Sequence, residues 1–159
     1  MSLSARQRQF LRRENGWASG LIAVALNCGL LWFSHRTASE VTTGEIVDDL
    51  LAAAFLLPFI TTLIATPLVR RAVRTGAVAG APLETWPKLT RTGVFGRAVM
   101  FGVMVWLTLA VPIMAAGPLW DDGVAVAAFA TVKLAFVFAL ATLVTPWIAR
   151  VAMADERPP

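Results

Sequence analysis

Four long stretches of this chain are free, or nearly free, of charge. They are Asn15–Ser34, Leu50–Val69, Ala98–Trp120 and Gly123–Ala149, the last interrupted only by Lys133. The hydrocarbon core of a bilayer is about 30 Å thick and takes about 20 apolar residues per helix. Inside it every backbone N–H and C=O must find a partner within the protein, which favours helices. Of the 159 residues, 57% are hydrophobic and 15% charged. A water-soluble domain runs near half apolar and about a quarter charged. A soluble helical bundle is the competing reading, but its helices would each carry one apolar stripe. These runs are apolar on every side. The expected fold is an all-α membrane protein, a four-transmembrane-helix bundle forming a single integral membrane domain. The spans are expected at about 16–33, 48–69, 93–116 and 123–149.

The charges that remain set an orientation. Arg6, Arg8, Arg12 and Arg13 precede the first span. Arg70, Arg71, Arg74, Lys88, Arg91 and Arg97 lie between the second and third. Arg150 and Arg157 follow the fourth. Only Arg36 and Lys133 of the 14 basic residues lie elsewhere. The other two connections hold Glu40, Glu45, Asp48, Asp49, Asp121 and Asp122. Basic loops stay in the cytoplasm, so both termini are expected there, in a bacterial cytoplasmic (inner) membrane. Trp17, Trp32, Trp120 and Trp147 fall near span ends, where an amphipathic ring suits the headgroup layer. The first run also follows a basic leader, as a signal peptide would. Its exit "SHRTAS" puts Arg36 where cleavage needs a small residue. Residues 1–14 read either as a basic helix lying on the inner surface or as a basic tail.

Two segments repeat a pattern. "ATPLVRRAVR" begins at Ala65 and "VTPWIARVAM" at Val144, and each places an arginine, Arg71 or Arg150, four residues after its proline. Phe59 and Phe138 align at the same offset. Two helical hairpins joined by the long loop at 75–92 would form a parallel repeat about an axis along the membrane normal. Pro67 and Pro146 each remove a backbone donor and free a carbonyl four residues earlier, as do Pro58 and Pro112 within their spans. At each Thr-Pro the helix is expected to bend or end, with Arg70, Arg71, Arg74 and Arg150 anchoring it to anionic lipid headgroups. A gating hinge is the functional alternative. The first hairpin, ending "TPLVRRAVR", resembles an uncharacterised class of small bacterial two-span membrane hairpin proteins, a likeness that brings no activity with it.

The chemical inventory is small. His35 is the only histidine and Cys28 the only cysteine, so no disulfide framework, bis-histidine haem or multi-histidine metal site can be built within one chain. No cofactor, catalytic residue or metal ligand is expected. Nucleic-acid binding would need a recognisable module or stacking aromatics, and the sequence has neither. Lys133 stands apart. It sits about ten residues into its span, about 15 Å deep at 1.5 Å per residue. A buried cation costs about 3 kcal/mol or more. Asn27, Thr108 and the carbonyl of Ala54 freed by Pro58 lie at comparable depth, so all four spans could give one polar group to a node around Lys133. Alternatively Lys133 reaches the outer headgroups or pairs with Asp48, Asp49, Asp121 or Asp122.

These features point first to a non-enzymatic accessory or assembly subunit, held by a membrane-protein partner or by its own copies. A small oligomeric transporter or channel built on the Lys133 node is the alternative. An intramembrane enzyme is the least favoured reading.

Overall fold

The computed structural model describes residues 4–36, 38–80, 92–119 and 123–155. The chain is about 87% helical, with four helices long and apolar enough to cross a membrane. They are α1 (Ala5–His35), α2 (Thr43–Arg74), α3 (Val94–Ala116) and α4 (Val126–Asp155). Lys88, Arg91, Trp120, Asp121, Asp122 and Arg157, which entered the orientation argument, lie outside the described residues.

Helix ends are set by short-range chemistry. Ser4 and Gln7 form a capping box at the start of α1, Ser4 N–H donating to Gln7 Oε1 at 2.8 Å and Gln7 N–H to Ser4 Oγ at 3.2 Å. Thr42 and Glu45 repeat the device at α2, with Thr42 N–H donating to Glu45 Oε2 at 2.8 Å. α2 ends in a Schellman turn. Gly76 takes φ +73, Ala77 N–H donates to Ala72 O at 2.9 Å and Gly76 N–H to Val73 O at 3.0 Å.

Three local expectations change. The N-terminal basic segment is neither a separate surface helix nor a tail. It is the first part of α1, continuous with the apolar run through a π-helical stretch over Phe10–Trp17. Leu11 anchors it in a buried cluster with Val69, Ala149 and Met153. The amide of Gln7 donates to the carbonyls of Ala79 and Gly80 at 3.1 and 3.0 Å, closing the group against the α2 exit. Second, neither Thr-Pro ends its helix. α2 runs past Pro67 to Arg74, and α4 past Pro146 to Asp155. A proline costs one intrahelical bond, and packing on both sides holds the helix through the gap. Third, the two short connections pair with each other. Glu40–Val41 and Val124–Ala125 form a two-stranded antiparallel ladder, with Glu40 opposite Ala125.

The helices lie in the order α1, α4, α2, α3. α2 packs extensively on both α3 and α4, and α1 packs on α4. The pairs within each expected hairpin, α1 with α2 and α3 with α4, pack less extensively, although Phe101 of α3 shares a buried cluster with Ile148 and Val151 of α4. Instead each half lends its first helix to the second helix of the other half. The aromatic contacts show the exchange. Phe59 of α2 meets Phe95 of α3 edge-on at 5.8 Å, and Phe138 of α4 meets Trp17 of α1 edge-on at 5.6 Å. Phe59 and Phe138 are the pair aligned by the repeated pattern.

Glycines permit both crossings. A Cβ on Gly20 would lie 2.6 Å from Thr142 Oγ1 and 2.8 Å from Phe138 Cε2. One on Gly102 would lie 2.9 Å from Phe55 Cε2. Small residues let helices approach closely where apolar driving force between helices is weak. Gly20→Ala is expected to cost about 1–3 kcal/mol by overpacking, with α1 loosening from α4. Gly29→Ala, with nothing within 4 Å of the new atom, is the silent control. Thermal unfolding in detergent reads both, and equal stability of the two variants would refute this packing.

Candidate functional site

The apolar character of the chain makes its few buried ions the places to look. Two ionic nodes lie along the contact between α2 and α4, one at each end. At the end carrying the two-stranded ladder, Lys133 of α4 faces Asp49 of α2. The ammonium Nζ lies 2.7 Å from Oδ1, to which it donates, and 2.7 Å from Oδ2. The lysine side chain is 7% exposed and the carboxylate 34%. Phe129, one turn before Lys133, is fully buried, and its ring centre is 5.9 Å from Nζ. The ring of His35 approaches the same Phe129 edge-on, with centroids 5.9 Å apart. His35 is thus half-buried against Phe129.

The expected polar node is not assembled around Lys133. Asn27 Nδ2 donates to Ala23 O in its own helix at 2.9 Å. Thr108 Oγ1 donates to Met104 O in its own helix at 2.8 Å, and its side chain is exposed. Ala54 is fully buried in the apolar cluster that includes Phe129. Below it, Thr62 Oγ1 donates to Pro58 O at 2.7 Å. The lysine takes the alternative route and reaches Asp49 near the helix end.

The second node, at the end carrying both termini, is built on a residue that the sequence reading placed among loop cations. Arg97, in the first turns of α3, is 1% exposed. Its Nη1 donates to Asp155 Oδ2 at 2.6 Å. Its Nε and Nη2 both donate to Thr92 O at 3.1 Å. Arg70 joins the same carboxylate oxygen, Nη2 at 2.8 Å and Nε at 3.0 Å. Arg70 was expected to anchor lipid, but its guanidinium is committed to Asp155. Arg71 and Arg150 remain exposed, as does Arg74. Three helices are thereby tied at one buried carboxylate, with net charge +1. The available signal was an arginine set just inside an apolar helix, in "VFGRAVM".

Between the nodes, Thr62, Thr66 and Thr145 are fully buried. The hydroxyls of Thr142 and Thr145 have no hydrogen-bond partner among the described residues, beside the carbonyl that Pro146 leaves free. Among the described residues no three His, Cys, Asp or Glu side chains converge as metal ligands. No family model, no curated protein and no solved structure matches the chain.

Proposed function

We propose that this chain is a polytopic protein of a bacterial cytoplasmic membrane, with both termini in the cytoplasm, acting as a non-enzymatic accessory or assembly subunit of a larger membrane complex. One observation carries the reading. The buried ions are spent on each other, while the outer faces of α1 and α3 are apolar and uncovered, including Leu21, Leu26, Leu30, Phe33, Leu107 and Val111. Such a chain offers surface to neighbours in the bilayer and little chemistry of its own. The basic residues concentrated at the end with the termini support the orientation. The exchanged aromatic contacts of Phe59 and Phe138 support an internal parallel repeat, with its axis between α2 and α4. Extraction in mild detergent tests the role. A stoichiometric larger partner is expected on an affinity-tagged chain, and a lone homo-oligomer would overturn the reading.

A small oligomeric transporter or channel is the second reading. The unpartnered hydroxyls of Thr142 and Thr145 beside Pro146 favour it, because they leave a polar spot inside an otherwise oily wall. Lys133→Leu separates the two. Under the accessory reading the variant folds and partner capture is unchanged. Loss of proton or potassium flux from proteoliposomes, with folding intact, would select transport.

A further inference from the structure

Alongside α3, toward the end bearing the termini, runs an open groove of about 450 Å³. Its walls are Val99, Met100, Met104 and Leu107 of α3, with the indole of Trp147 from α4 across from them. Val99 to Leu107 covers about 12 Å of helix at 1.5 Å per residue, a length that suits the upper part of a fatty acyl chain. The walls are almost wholly apolar, and thioethers adapt to a flexible guest. Trp147 is half exposed, and a ring of that type sits well at headgroup level.

Helical spacing sets a cation near the groove. Leu143, Trp147 and Arg150 recur at helical spacing on one exposed face of α4. Arg150 is thus about one turn beyond the indole, toward the termini. It makes no hydrogen bond or ion pair with any described residue. The neighbouring ions add to its field, because Arg70 and Arg97 share the single carboxylate of Asp155.

We propose that the groove holds one anionic glycerophospholipid of the leaflet on the termini side, an acyl chain against Met100, Met104, Leu107 and Trp147 and its phosphate on Arg150. The assignment rests on the membrane placement proposed above and is independent of the accessory role. A docked helix would fill the apolar walls equally well but gives no account of an unpaired cation nearby. A lipid supplies both the oil and the counter-charge.

Native mass spectrometry of protein taken from vesicles of mixed phosphatidylglycerol and phosphatidylcholine tests the site. The wild-type chain is expected to retain one phosphatidylglycerol in preference to phosphatidylcholine. Arg150→Gln should lower that retention about fivefold, the effect of one basic residue near an anionic surface. Leu107→Trp, an exposed position, should fill the groove and reduce retention of both lipids. Arg71→Gln, which changes another exposed cation, on α2, should leave retention unchanged. Equal retention of the two lipids by the wild-type chain, or an equal loss in Arg71→Gln and Arg150→Gln, would overturn the proposal. A dimer that Leu107→Trp dissociates would also overturn it, by assigning the groove to a second copy. A chain that stays in solution without detergent is a different result, because it removes the membrane placement itself.

Discussion

Asp155→Ala is expected to be the most damaging single substitution in the chain, costing about 3 kcal/mol of stability. The carboxylate is 6% exposed and holds two guanidinium groups, one of them the 1%-exposed Arg97. Removing one partner of a buried pair strands the other charge, which typically costs about 3–5 kcal/mol. The lower end applies because Arg97 keeps both bonds to Thr92 O. Arg70→Ala should cost about 1 kcal/mol or less, since Arg70 is 28% exposed and Arg97 keeps the carboxylate paired. Combining Asp155→Ala with Arg97→Leu should recover part of the loss, because only the partly exposed charge of Arg70 is then left without its partner. Helical ellipticity followed through thermal unfolding in detergent gives all three values. A loss below about 1 kcal/mol for Asp155→Ala would show that the cluster does not hold α2, α3 and α4 together.

The second large effect is an asymmetry at the opposite node. Asp49→Ala leaves the Lys133 ammonium buried against Phe129 and is expected to cost about 2 kcal/mol. That lies below the range for a fully buried pair because the carboxylate is about a third exposed. Lys133→Leu should be neutral or stabilising, since Asp49 then turns to water at the helix end and a leucine fills the apolar wall. The double variant Asp49→Ala, Lys133→Leu should match Lys133→Leu alone. Should Lys133→Leu prove the more harmful single change, the pair is not the reason the lysine is tolerated.

The spans were readable because an oily run on all sides reports its solvent directly. Their limits were less so. Hydropathy marks where a helix is apolar, while its ends follow from caps such as Ser4–Gln7 and Thr42–Glu45, which extend α1 and α2 beyond the oily stretch. The partners of the buried ions were only half readable. Depth along a span can be counted from the sequence, and it correctly set Asp49 among the acids within reach of Lys133. Rotation about the helix axis cannot be counted when all faces are apolar. Hence Thr108, at a suitable depth, turned out to face outward, and Asp49 pairs while its neighbour Asp48 is exposed. Arg97 was missed for a related reason. Its class, a cation beside a basic loop, suggested solvent, and its carboxylate lies at the far end of the chain.

The exchange of helices between halves has a consequence for biogenesis. α2 is made early, yet its main neighbours, α3 and α4, are made late, and both ionic nodes draw a member from α4. Until α4 is made, Asp49, Arg70 and Arg97 lack their partners Lys133 and Asp155, although the second strand of the ladder, Val124–Ala125, precedes α4 in the chain. α2 and α3 can therefore pair as a first unit, and α4 acts as the keystone that completes both ionic nodes and seats α1.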